Sequence, residues 1–254
     1  MITPTFPASE ASAIPASTQS EVPQPASRRV VDATTRMLHW LMALSFIGAY
    51  LTADGERWRL VHVTLGYTLA GLLVCRVLWG LLGPRQARLS ALLRKLQGLP
   101  AWLRSLPTLN SAVMAKPAWR QGQNLLMALA VVLILGTIMP LTLSGYAVWE
   151  EWGGEWLEDM HEFFGNAMLA LVLVHVGLIA MLSLLRRKNQ ALPMLTGRAA
   201  GAGPDLAKRN YGILAAMVLV GVIGFWTWQW REAPPNLATQ DSTQIDNRRV
   251  NDDD

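Results

Sequence analysis

Four histidines, His39, His62, His161 and His175, are the only imidazoles in this 254-residue chain, and none lies in a tail or a long loop. Each falls within or at the end of an apolar stretch, where ionisable side chains are rare and usually functional. A single histidine in such a place more often hydrogen-bonds a neighbouring helix. Four so placed, two of them in register on one span, argue for metal ligation by neutral imidazole. His161 and His175 are 14 residues apart, which on one helix is about 21 Å and nearly four turns, so both rings face one side at different depths. One metal ion cannot bridge that distance. Two centres can, each using one of these histidines and one of the other two. Two-imidazole sites suit low-spin haem, whose iron takes a ring on each axial face. The lone cysteine, Cys75, excludes an internal disulfide, and there is no Cys-x-x-Cys-His run, so a haem here is held by side-chain ligands alone.

The elements that must position these ligands are membrane helices. Just over half the residues are hydrophobic and 16% are charged, against about 25% charged in a soluble domain. Residues 37–53, 125–149, 163–185 and 211–230 contain no Asp, Glu, Lys or Arg, and 62–82 contains only Arg76. A span needs about 20 mostly apolar residues, so five spans are expected. Backbone in lipid must satisfy itself, which makes them helices packed as a bundle. The fold expected is all-α transmembrane: a four-helix di-haem bundle plus a fifth transmembrane helix. Pro140 is expected to kink the third span.

Loop charge orients the bundle. Residues 83–122 carry seven basic residues and no acidic one, 186–210 carry six basic residues against Asp205, and 150–160 carry five acidic residues and no basic one. Lys and Arg accumulate on the cytoplasmic side, which places the N-terminus inside, residues 54–61 and 150–160 outside, and the C-terminus in the periplasm. Topology then pairs the ligands. His62 and His161 both begin spans on the outside; His39 lies in the first turn of span one and His175 in the inner half of span four. The pairs are His62 with His161 and His39 with His175. Helix overhang or tilt must absorb a looser depth match at the inner pair, since His175 precedes Arg186 by 11 residues and His39 follows Arg36 by three.

Small and cationic residues surround the ligands. Gly66 follows His62 by four positions and Gly165 follows His161 by four, leaving room for a flat macrocycle beside each helix, although close helix packing also uses glycine. Arg76 lies 14 residues after His62 and is placed to pair with a propionate of the inner haem, or to snorkel to the interface. Arg57 and Arg59 are placed to serve the outer propionates or to be solvated loop charges.

The rest of the chain reads as connection. Leu89, Leu92, Leu93, Leu96, Leu99, Trp102, Leu103 and Leu106 recur at helical spacing among basic residues, as in an amphipathic helix on the inner leaflet that Pro100 should break or bend. Residues 1–31 form a Pro-, Ala-, Ser- and Thr-rich tail read as disordered, without the apolar core of a signal peptide. The di-haem domain is expected over 32–186 with its inner loop at 83–122, a cytoplasmic linker over 187–210, the fifth helix over 211–230 and a flexible acidic tail over 231–254.

The run Arg36-Met37-Leu38-His39-Trp40, the His62-x-x-x-Gly66 start of span two, and His161 with His175 resemble the bacterial cytochrome b561 family, which includes the cytochrome b subunits of nickel–iron hydrogenases. The resemblance covers about residues 32–186. It implies a bundle with two non-covalent haem b groups, the ligand pairing reached above, Arg36 among the cofactor-binding residues, and electron exchange with membrane quinone. The N-terminal tail, fifth span and acidic C-terminal tail resemble the versions that work with a partner protein. The function expected is transmembrane electron transfer in the bacterial inner membrane, in the manner of a respiratory chain component. The partners expected are lipid, quinone and a c-type cytochrome or periplasmic redox subunit drawn to the acidic segment 150–162; no nucleic acid is expected. Alternatives are a membrane anchor subunit of a periplasmic hydrogenase or dehydrogenase, and a superoxide:quinone oxidoreductase. From a different class, a histidine-based transporter is weakened because no span core holds a carboxylate.

Overall fold

The computed structural model describes residues 27–105 and 116–232. Strand β1 (Ser27–Arg29) leads into α1 (Ala33–Leu51), followed by α2 (Arg59–Leu82), α3 (Leu89–Leu96), α4 (Leu99–Ser105), α5 (Lys116–Trp149), α6 (Glu155–Arg186), α7 (Leu192–Thr196), β2 (Arg198–Ala200) and α8 (Gly212–Glu232). Asp32 starts α1 as an N-cap, accepting from the Thr35 amide at 2.8 Å and from the Thr35 hydroxyl at 2.9 Å. Glu155 and Glu158 in the first turn of α6, and Arg186 in its last, complement the helix dipole.

Helices α1, α2, α5 and α6 enclose one core, in which Phe46, Leu69, Ile138, Leu141 and Met168 are buried together. A second cluster, Leu38, Leu41 and Leu72, receives Val218, Leu219 and Val222 of α8, which docks in the α1–α2 groove. There Trp226 donates its indole N–H to Thr68 Oγ1 at 2.8 Å. Polar hydrogen bonds of this kind hold helices together where lipid supplies no hydrophobic contrast. Helix α5 runs unbroken through Pro140.

Among the described residues, four helices are long and apolar enough to cross a membrane: Arg59–Leu82, Gln121–Trp149, Glu155–Arg186 and Gly212–Glu232. Expected span one is not among them. Helix α1 has 19 residues, and Thr34, Thr35, Arg36, His39 and Trp40 in its opening turns lower its hydropathy, although its second half shares the bundle core.

Three further expectations are modified. The fold is mainly, not wholly, helical, because β1 pairs antiparallel with β2, Arg28 opposite Ala199. Residues 27–31, expected in the tail, belong to this ribbon and its exit, and residues 187–210, expected as a plain linker, hold α7 and β2. The turn between α7 and β2 explains why the ribbon forms: Gly197, at φ +78°, offers its carbonyl to the amides of Val30 at 2.8 Å and Val31 at 3.2 Å, and a Cβ there would lie 2.8 Å from the Val31 carbonyl. The amphipathic run divides at Gln97–Gly98, with Pro100 in the first turn of α4; Leu106, residues 1–26 and residues 233–254 lie outside the described residues.

Candidate functional site

His62 and His161 meet at the end of the bundle where α1 turns into α2 and α5 into α6. We call this the turn end, and the opposite end, with α3, α4, α7 and the strands, the ribbon end. Their ring centroids are 6.0 Å apart and their planes nearly perpendicular, at 85°. His62 Nδ1 lies 2.8 Å from the Ala49 carbonyl, and His161 Nδ1 lies 3.1 Å from the Leu141 carbonyl with the Ser144 hydroxyl at 3.4 Å. A carbonyl only accepts, so Nδ1 carries the proton in each ring and the Nε2 lone pair is left for a ligand.

One turn along α2 and α6 from these rings stand two glycines without close neighbours. Gly66 and Gly165 are half-buried, yet a Cβ on Gly66 would meet nothing within 4 Å and one on Gly165 only Leu141 Cδ1, at 4.0 Å. Gly48 is the contrast: a Cβ there would lie 2.7 Å from Leu65 Cδ1. Gly48 is a packing glycine, and Gly66 and Gly165 are not. Gly145, which sequence reasoning missed, supports His161 directly, since a Cβ there would lie 2.7 Å from the ring's Cε1. The signal was present in the α5–α6 turn: Gly145 and His161 are each eight residues from Gly153, so an antiparallel helical pair places them at one level.

Toward the ribbon end, His39 lies in the opening turns of α1 and His175 in the second half of α6. His39 packs edge-on against Trp40, centroids 5.4 Å apart, and His175 Nδ1 is buried without a hydrogen-bond partner. Helix α6 spans 32 residues, about 48 Å against a hydrocarbon core of about 30 Å.

The arginines have protein partners of their own. Arg76 donates to the Ala87 carbonyl at 3.2 Å, and Arg36 to the Leu195 carbonyl at 2.8 Å. Arg57 lies over Trp58 with its guanidinium carbon 5.9 Å from the ring centre, and Arg59 over Trp149 at 5.3 Å. Arg76 thus reaches toward the ribbon end, and Arg57 and Arg59 line the rim of the turn end.

The family model for prokaryotic cytochrome b561 matches residues 30–197. The chain belongs to that family. Cytochromes b561 bind haem b and carry electrons in the membrane, and four apolar helices suit a multi-pass bacterial membrane protein. No curated protein and no solved structure matches the chain.

The residues fit the group the family implies. Two metal–imidazole bonds of about 2 Å, plus the reach from each nitrogen to its ring centre, total about 6 Å, the separation of the His62 and His161 rings. Among the described residues no three His, Cys, Asp or Glu side chains converge on a point. Paired imidazoles therefore suit a metal that brings its remaining ligands with it, as haem does.

Proposed function

We propose that this cytochrome b561 carries electrons across the bacterial inner membrane through two b haems, one held by His62 and His161 and the other by His39 and His175. The observation that carries the reading is the facing His62–His161 pair, with both Nδ1 atoms engaged by backbone carbonyls and open space beside Gly66 and Gly165. In this reading α1 crosses with the four strongly apolar helices. The basic ribbon end faces the cytoplasm and the acidic turn end the periplasm, as the charge bias of the loops supports.

When bound, haem supplies reversible one-electron chemistry at iron. The chain's part is to fix the ligands. The Ala49 and Leu141 carbonyls orient the His62 and His161 rings and raise their basicity as ligands. Gly145 lets the His161 ring lie flat against α5, and Gly66 and Gly165 keep the adjoining space clear. Arg76, Arg36 and Arg57 retain N–H donors beyond those spent on their protein partners, enough to meet propionates, and Arg59 stands beside Arg57 at the turn-end rim. One terminus is the membrane quinone pool, which the family resemblance implies. The other is a basic redox protein of the c-cytochrome kind, steered to acidic residues 150–162 by long-range attraction.

The test is an absorption spectrum of the purified protein with chemical quantification of haem. Reduced b-type bands and about two non-covalent haems per chain are expected. Colourless protein with full function overturns the reading.

A further inference from the structure

The two amphipathic helices at the ribbon end are pinned to the bundle at two points. Leu89 of α3 packs directly on Gly80 of α2, and the Trp102 indole of α4 packs directly on Gly122 of α5. Between these anchors, α3 bridges a cavity against α5 of about 420 Å³, within the range of small-molecule sites. Its lining is sorted by polarity. Leu125 and Ala128, both 4% exposed, form a buried floor that Met127 and Val131 extend along α5, whereas Lys95, Gln121 and Asn124 are exposed at the rim.

A second cation reaches that rim. Arg186, the last residue of α6, donates from Nε and Nη2 to Gln123 Oε1 at 3.1 and 2.8 Å, and from Nη2 to Asn124 Oδ1 at 3.2 Å. Asn124 spends its carbonyl oxygen there, and its amide N–H groups remain donors. The rim thus offers an ammonium, a guanidinium and amide donors, and no carboxylate lines the cavity among the described residues. Such a rim selects an anion. The apolar floor runs up α5 from Leu125 to Val131, about 9 Å along the helix axis, and α5 from Gln121 onward is apolar enough to lie in the membrane. An anion attached to a hydrocarbon tail satisfies both halves at once.

We infer that the cavity between α3 and α5 is a binding site for one anionic phospholipid, its phosphate at Lys95, Gln121, Asn124 and Arg186 and an acyl chain along Leu125, Ala128 and Val131. The lipid ties the surface helices to the bundle by filling the gap between their two anchors. A free phosphate would use the rim alone, so the floor distinguishes the two sources.

The experiment is native mass spectrometry of the haem-loaded protein in mild detergent, before and after addition of phosphatidylglycerol, phosphatidylcholine or inorganic phosphate. Three chains are compared: wild type, Lys95→Glu and Val131→Trp. Haem absorption in each reports that the bundle is folded. Wild type should retain phosphatidylglycerol in preference to phosphatidylcholine. Lys95→Glu should weaken that retention about tenfold or more, and Val131→Trp should weaken it by blocking the floor, with haem content unchanged in both. Equal retention of the two lipids, retention undiminished in both variants, binding of phosphate as strong as that of phosphatidylglycerol, or a co-purified quinone displaced by neither lipid would each overturn the assignment.

Discussion

At the turn end, two rings lie edge-on with centroids 6.0 Å apart and both Nδ1 atoms against backbone carbonyls; at the ribbon end, His175 Nδ1 is buried without a hydrogen-bond partner among the described residues and His39 rests on Trp40. The turn-end carbonyls belong to the helices just across each turn, Ala49 to the last turns of α1 and Leu141 to α5. Short connections place these groups in register, so the rings are oriented by the fold itself. The ribbon-end histidines come from α1 and α6, helices joined only through the rest of the bundle. Their orientation depends more on what they bind. In the proposed two-haem reading, one site is preformed and the other is completed by its ligand.

That contrast can be broken first by removing ligands. His161→Ala and His175→Ala should each leave about half the haem of the wild type, with different spectra for the remaining centre. Loss of all haem from either variant would show that the pairs are not independent. A smaller effect is expected from Gly145→Leu, which drives a side chain into the His161 ring. It should lower turn-end haem affinity by about 10- to 100-fold, as disturbing ligand support does elsewhere, and spare the ribbon end; equal losses at both ends would remove Gly145 from its supporting role. The finest test is titration of haem into haem-free protein, followed by absorption. The preformed turn-end site should fill ahead of the ribbon-end site by a few-fold in affinity, roughly the worth of the ordering it does not require. Simultaneous filling would mean that the carbonyls add nothing.

The histidines were legible because a membrane span makes position along the chain equivalent to depth. The 14-residue step from His161 to His175 led to the expectation of two centres, and loop charge supplied the levels that paired His62 with His161; of these, the structure shows that the His62 and His161 rings are neighbours. Gly145 was hidden for the same reason in reverse: glycine is common in apolar helices, and only the α5–α6 pairing shows which one meets an imidazole. The ribbon escaped because three residues at the edge of a Pro- and Ser-rich stretch carry no periodicity. Their partners, residues 198–200, lie far along the chain. Helix α1 was read as a span from an uncharged run; its polar first turns, with Thr, Arg, His and Trp, leave it less apolar than the four candidate spans.

The ribbon also bears on how the protein is made. Its fastening joins Arg29 to Asp205, 176 residues later, by a 2.6 Å hydrogen bond, and it ties the amide of Ala33 to the carbonyl of Asn210 at 2.9 Å. At about 5–20 residues per second, the ribosome releases the start of α1 roughly 10–30 s before any of those partners exists. The start of α1 therefore waits unfastened, and the clasp closes only when translation has passed the α6–α8 connection. A chain that stalls or is cut before that point has no means of closing it.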